Sequence, residues 1–176
     1  MASLGRSVAV SVLFTLFGGP GILLVYVPWL LTRFRLPAND LLTLRILGAV
    51  LIIAGLVPLL ESIGRFIFVG RGTLVPTVPT EHLVVSGWYR FVRNPMYVGV
   101  LTAIAGEALL FRSRAVAIEC FTAWLGMDLF VRFYEEPRLA TQFPAEYALY
   151  RSRVRRWVPV DGQDVVPLSE RLMGGL

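Results

Sequence analysis

Two short blocks hold most of the residues able to do chemistry, and about forty positions separate them. The first runs from Tyr89 and Arg90 through Arg93-Asn94-Pro95-Met96-Tyr97 and gathers an amide, two phenols and two guanidinium groups. Proline at 95 biases Asn94 away from helical geometry and suits the first turn of a following helix. Asn94 is therefore expected as an N-cap, either satisfying backbone N–H groups or also presenting its amide to a ligand at the positive end of that helix. The second block, Glu135-Glu136-Pro137, follows directly on an apolar segment. Two carboxylates at a helix C-terminus oppose its dipole, so the pair needs Arg132, Arg138 or a bound positive group beside it. An ordinary salt-bridge cluster answers that need as well as a ligand does.

Other chemistries are excluded by what the chain lacks. One cysteine, Cys120, and one histidine, His82, supply neither an internal disulfide nor a metal-binding set. Gly70-Arg71-Gly72 is a G-x-G, but Pro76 follows closely and no βαβ pattern surrounds it, so it is no Rossmann turn. Ser86 has no G-x-S-x-G context, there is no phosphate-binding P-loop, and no Ser-His-Asp triad is indicated. Arginines interleaved with aromatics flank apolar runs, which favours anionic lipid over nucleic acid as the partner.

The elements that must position these blocks are membrane helices. Of 176 residues 56% are hydrophobic and only 16% charged, against about 25% charged in a soluble domain. Four apolar segments are expected to span: Ser7–Thr32, about Leu41–Leu60, Pro95–Phe111 and Ala115–Val131. Gly18-Gly19-Pro20-Gly21 should bend or break the first, and no small-x-small site follows it, which argues against a cleaved signal peptide. Gly64 to Val69 would prolong the second as an interfacial turn. Arg112-Ser113-Arg114 is so short a join that the last two must form an antiparallel hairpin.

Fold class is thus all-α: a polytopic integral-membrane helical bundle of about four to five spans with short cytoplasmic C-terminal helices. It is expected as a single embedded domain, with N-terminal spans over 1–73, a binding and catalytic part over 74–160 and a polar tail over 161–176. No second, soluble domain fits this length. All 17 basic residues are arginine and the net charge is +5; the absence of lysine suggests a GC-rich, bacterial genome and hence an inner-membrane setting. Twelve arginines fall on the side of the two termini and four on the other. The positive-inside rule then puts both termini, residues 62–94 and the segment after 132 in the cytoplasm. Glu107, Glu119 and Asp128, inside the last two segments, either face the bundle interior or an aqueous cavity, or lie near the interface. Beyond them Leu139, Phe143, Tyr147, Tyr150 and Val154 recur with helical periodicity. Pro144 starts the second of two short helices there, whose apolar face lies against the spans or the membrane surface, with Arg151, Arg153, Arg155 and Arg156 available to lipid headgroups.

From about Leu74 to Pro159 the chain resembles the isoprenylcysteine carboxyl methyltransferases and related integral-membrane phospholipid methyltransferases. Three blocks carry the resemblance: Leu83-Val84-x-Ser86-Gly87-x-Tyr89, Arg93-Asn94-Pro95-x-Tyr97-x-Gly99, and Glu135-Glu136-x-x-Leu139-x-x-x-Phe143-x-x-x-Tyr147-x-x-Tyr150 ending in Val154-x-Arg156-Trp157-x-Pro159. The resemblance implies S-adenosylmethionine bound without a Rossmann domain at the cytoplasmic end of the C-terminal helices. It implies cofactor contacts at His82, Leu83, Val84, Tyr89, Asn94, Pro95, Met96, Tyr97 and Glu135. Asn94 stands where the prenylcysteine branch has histidine, and Val131 stands where that branch has a substrate-binding arginine, leaving the adjacent Arg132 as the substrate-binding candidate. On this reading Glu135 or Glu136 offsets the sulfonium and ammonium charges, and Tyr89, Tyr97 or Tyr147 contacts sulfonium or adenine. The implied activity is methyl transfer to a lipophilic or membrane-associated acceptor: a prenylcysteine-like carboxylate, a thiol or a lipid amine. Only an amine requires a base, for which Glu136 is the candidate. Two alternatives stand beside it: an NADPH-dependent membrane reductase of sterol-reductase type, and a non-catalytic scaffold whose arginine-rich tail grips anionic lipid.

Overall fold

The computed structural model describes residue 13 and residues 18–38, 41–68 and 82–161, without the side chains of 66 and 67. Every regular element among them is helical. The remainder of the first expected span, the Gly70-Arg71-Gly72 run, Pro76 and the tail beyond Asp161 lie outside the described residues.

Helix α1 covers Gly19–Thr32. Gly18 lies outside helical geometry (φ −106°, ψ −145°) and Pro20 occupies the first turn, so the chain breaks at the glycine-proline run as expected. Within α1, Ile22–Tyr26 forms a π-helical turn. The helix stops where Arg33 and Phe34 take left-handed φ of 52° and 54°, and the Arg33 guanidinium lies 4.3 Å from the Trp29 ring centroid.

Helix α2 runs without interruption over Leu42–Phe68 and contains Pro58. Gly64 to Phe68 therefore continue the helix instead of forming the interfacial turn expected of Gly64 to Val69; Val69 lies outside the described residues. Leu59 and Ser62 are fully buried and Glu61 pairs with Arg65 one turn on, so the far end of α2 is held by packing and by an (i, i+4) ion pair. Over Leu42–Arg65 mean hydropathy reaches 2.3. Among the described helices α2 is the one long and apolar enough to cross a membrane; α1 and α3, at Pro95–Leu110, are apolar but shorter. Helix α4, Arg114–Phe130, carries Arg114, Glu119 and Asp128 in 17 residues.

The α3–α4 hairpin forms as its short join dictates. Arg112 takes φ 49° in the turn, and Ser113 caps α4 by accepting the Val116 N–H at 3.3 Å. Helix α4 does not end at Val131, however. A π-helical turn, Val131–Glu135, carries it into α5, Glu136–Gln142. Glu135 and Glu136 thus lie inside a continuing helix, and the dipole penalty expected at a free C-terminus does not arise there. Helix α6, Pro144–Arg153, opens with proline as expected.

Antiparallel packing of α2 on α3 rests on two reciprocal glycine pairs. A Cβ on Gly55 would meet the Gly99 carbonyl oxygen at 2.4 Å and one on Gly99 the Gly55 oxygen at 2.6 Å; Gly48 and Gly106 face each other in the same way at 2.7 and 2.6 Å. Seven-residue spacing keeps both pairs on one face of each helix, and small residues let the two backbones approach closely. Around this contact Leu59, Val100, Ile104 and Val116 form the main core, with Leu23 and Leu24 of α1 against it. Outward, Ile46, Ile53 and Leu60 of α2 and Ile118, Phe121 and Leu125 of α4 are exposed, an apolar girdle suited to hydrocarbon.

The tyrosine stripe packs inward. Tyr147, Tyr150 and Val154 are buried with Leu139 and Phe143, and their partners are Leu83, Val85 and Val160. The C-terminal helices therefore close on the segment that precedes α3.

Candidate functional site

The two polar blocks meet. Asn94 occupies the N-cap position of α3, but its side chain caps nothing. Its Nδ2 instead donates to the Arg156 carbonyl at 3.1 Å, and next to it the Arg93 N–H donates to the Arg155 carbonyl at 2.9 Å. One turn into α3, the Tyr97 hydroxyl donates to Glu135 Oε2 at 3.2 Å. The π-helical turn matters here: an extra residue per turn changes which face Glu135 occupies relative to the start of α4. Burial and then the neighbouring Glu136 raise the pKa of Glu135, against the Tyr97 hydrogen bond, which lowers it.

Glu136 is placed differently. Arg156 grips it through Nε to Oε1 and Nη2 to Oε2, both at 2.8 Å, and Arg93 Nη1 lies 3.1 Å from Oε1. Burial alone would raise its pKa, but the hydrogen bond from Arg156 and the charges of Arg93, Arg156 and Arg151 outweigh burial and lower it. A carboxylate held ionised between two guanidinium groups is a poor proton acceptor, so the sequence-derived assignment of an amine-directed base to Glu136 does not suit this geometry. The carboxyl whose basicity is raised is Glu135.

Arg156 and Trp157 form a strap across the site. The Trp157 indole N–H donates to Asp128 Oδ1 at 2.8 Å, its ring centroid lies 6.5 Å from that of Tyr97, and Arg156 Nη1 is 3.8 Å from Asp128 Oδ1. Arg132 Nε pairs with Asp128 Oδ2 at 2.6 Å, with its side chain half exposed. Arg132 thus joins the edge of this network through Asp128, and Val131, beside it, is buried apolar core.

On the other flank, the 3₁₀ turn Gly87–Arg90 carries Tyr89. The Tyr89 carbonyl accepts the Tyr150 hydroxyl at 2.7 Å; burial, then Glu135, then Glu61 push the Tyr89 phenol pKa up, keeping it protonated. Leu83 is half-buried and Val84 buried, whereas His82 is exposed. Pro95 is buried and Met96 half-buried against the main core. The structure therefore joins Tyr97 to Glu135 with the Tyr89 phenol close enough to feel the Glu135 charge, ties the Asn94 side chain to the Arg156 carbonyl, places Leu83 with the tyrosine stripe and leaves His82 at the surface.

Sequence reasoning missed a second group behind the turn. Arg65 pairs with Glu61 and its Nη1 donates to Ser86 Oγ at 3.0 Å. Gly87 has φ +62°, and a Cβ there would strike the Glu61 and Arg65 side chains, so the Ser86-Gly87 pair serves the docking of α2 against this turn. A cavity of about 390 Å³ opens beside it. The (i, i+4) spacing of Glu61 and Arg65 was the available signal.

Arg93 Nε is buried without a hydrogen-bond partner. This orphan donor suits a carboxylate, and the Glu135 carboxyl, bonded by Tyr97 and bordered by aromatic rings, suits a cation. Both are features that an amino-acid-bearing sulfonium cofactor requires. A model of the phospholipid methyltransferase family matches residues 43–146, from the start of α2 into α6. No curated protein and no solved structure matches the chain.

Proposed function

Given that the chain belongs to the phospholipid methyltransferase family, we propose that it is an S-adenosylmethionine-dependent methyltransferase acting on a lipophilic or membrane-associated acceptor at the cytoplasmic boundary of the bilayer. The observation that carries this reading is the 3.2 Å contact of Tyr97 with Glu135. It joins the two distant blocks in one site with an anionic carboxyl, aromatic faces and the orphan Arg93 donor. Neither the reductase nor the scaffold alternative is favoured by any contact in the site.

In this reading Glu135 and the rings of Tyr97 and Trp157 hold the cationic part of the cofactor, Arg93 Nε receives its carboxylate, and Tyr89 lines the same space. S-adenosylmethionine held by these residues would supply an electrophilic methyl group, with a neutral thioether as the leaving group. The chain's own work is alignment and exclusion of water: the Arg156–Trp157 strap, anchored on Glu136, Asp128 and Asn94, roofs the site. Aligned reactants gain on the order of 7–11 kcal/mol. For a carboxylate or thiolate acceptor no protein base is needed. An amine acceptor arrives protonated, and its proton passes to Glu135, the carboxyl whose burial raises its proton affinity.

Twelve arginines on one side of the chain support a cytoplasmic site and cytoplasmic termini, and α1, α3 and α4 complete the bundle around α2. Titration of purified protein with S-adenosylhomocysteine and with NADPH tests the reading. Saturable S-adenosylhomocysteine binding, weakened by Asn94→Ala and Glu135→Ala, is expected; binding of NADPH alone refutes it. Transfer of labelled methyl groups into a total lipid extract then identifies the acceptor.

A further inference from the structure

The end of the bundle remote from the site carries a surface of another kind. Helix α3 starts at Pro95 beside the site and ends at Leu110, roughly 24 Å away along its axis. Two turns meet there: Arg33-Phe34-Arg35 after α1, and the α3–α4 join, Arg112-Ser113-Arg114. The rings of Phe34 and Phe111, with centroids 5.8 Å apart, hold one turn against the other. All four arginines are exposed, and among the described residues none of them pairs with a carboxylate. The acids of the same hairpin, Glu107 and Glu119, are buried and leave this surface positive. Helix α4 opens at Arg114 with no acid in its first turn, so the positive end of its dipole adds to the arginine charge.

Both turns are held in a defined shape. Thr32 Oγ accepts the Phe34 N–H at 3.1 Å and the Thr32 carbonyl accepts the Arg35 N–H at 3.0 Å; Arg45 Nη2 donates back to the Pro37 carbonyl at 2.9 Å. Among the described residues the non-glycine positions with left-handed φ are Arg33, Phe34 and Arg112, all within these turns. Residues bearing side chains adopt that conformation rarely, and it persists where surrounding contacts over-determine it. Beneath Arg33, whose guanidinium lies over Trp29, the Trp29 and Tyr26 rings pair at 6.2 Å and are both exposed. Arginine above exposed aromatics at the end of an apolar helix is the makeup of a headgroup boundary.

We infer that the two turns form one docking surface for an anionic phospholipid, its headgroup phosphate among the guanidinium groups of Arg33, Arg35, Arg112 and Arg114 and its acyl chains running past Trp29 and Tyr26. Guanidinium groups match phosphate oxygens in charge and in hydrogen-bond geometry. A zwitterionic lipid brings a cation for which this surface offers no exposed carboxylate among the described residues, so a lipid with net negative charge is preferred. An acidic protein segment would meet the charge and leave the aromatic side beneath it unused. The bound lipid bridges the connection after α1 to the α3–α4 join and is not a methyl acceptor, so this inference stands apart from the methyltransferase reading.

The test is the affinity of the first lipid bound by full-length protein in a neutral detergent, read by native mass spectrometry with dihexanoyl phosphatidylglycerol and dihexanoyl phosphatidylcholine. Each arginine at an anionic headgroup is worth about fivefold in affinity, so the glycerol lipid is expected to bind at least about tenfold more tightly than the choline lipid. Arg33→Gln with Arg112→Gln should lower the glycerol-lipid affinity by about twentyfold and leave the choline-lipid affinity within about twofold. Arg33→Lys with Arg112→Lys keeps the charges and should keep the preference, which separates loss of charge from damage to the turns. Arg151→Gln with Arg155→Gln, at the other end of the molecule, should leave the preference intact. Equal affinity for the two lipids, a preference that survives the glutamine pair at 33 and 112, or one lost equally with the pair at 151 and 155, overturns the docking surface. So does loss of the preference in the lysine pair, or competition by free glycerol 1-phosphate at the lipid's own concentration, which would make the ligand a soluble anion.

Discussion

Replacing Glu136 by alanine should unfold the site rather than merely disarm it. Its carboxylate receives two hydrogen bonds of 2.8 Å from Arg156 and lies 3.1 Å from Arg93, and the side chains of Glu136 and Arg93 are each only 10% exposed. Removing one member of a buried pair leaves the other charges uncompensated, at about 3–5 kcal/mol. Asp128 remains 3.8 Å from Arg156, so the lower end, about 3 kcal/mol, applies. For a chain of this size each kcal/mol corresponds to a Tm change of roughly 2–4 °C, hence a fall of about 6–12 °C. The assay is thermal unfolding followed by circular dichroism in detergent at pH 7, with Phe133→Ala as control, since Phe133 is 77% exposed. A Glu136→Ala protein melting within about 2 °C of the unaltered one would show that the arginine clamp contributes nothing and would sink the account of the strap that depends on it.

Four further outcomes follow from the contacts described above. Glu136, its pKa lowered in the fold, contributes stability that is present above the ordinary carboxylate pKa of 4.5 and lost as pH falls through its depressed value; Glu136→Gln should flatten that acid limb in a pH series of melting curves. Glu135 carries the opposite shift, raised by burial, so the charged form that a cationic cofactor pairs with is gained at higher pH than for an ordinary carboxyl, and S-adenosylmethionine affinity should rise with pH through the raised pKa. Calorimetric titration checks this, and Glu135→Gln should remove the pH dependence and weaken binding about tenfold or more, the worth of one charged hydrogen bond. Gly55→Val, whose Cβ would lie 2.4 Å from the Gly99 oxygen, should cost at least about 1–3 kcal/mol by overpacking. Gly64→Ala, with nothing within 4 Å of its Cβ, should be neutral or stabilising by up to about 1 kcal/mol in the same denaturation assay.

The sequence by itself determined the helical class, the hairpin at Arg112 to Arg114, the break at Gly18, the start of α6 at Pro144 and the existence of a tyrosine-bearing helical face, but not its partner: that face packs on Leu83, Val85 and Val160 and not on the spans or the membrane surface as expected. Each follows from local rules: a proline fixes a first turn, a three-residue join forces antiparallel neighbours, and a 3–4 spacing of apolar residues makes a face. Membership of the methyltransferase family was legible for a similar reason, because its motifs are short runs whose spacing survives in one dimension. Only the tertiary structure decided that α2 continues as helix past Gly64 and that α4 continues through a π-helical turn, since both depend on what the helix packs against and not on its own composition. The same holds for the division of labour between two adjacent carboxylates. Glu135 and Glu136 are equivalent in sequence, and arginines twenty and more positions away make one a clamped anion while Tyr97 and burial leave the other with raised proton affinity. Charge interaction depends on distance through space, and those distances exist only once the chain has folded.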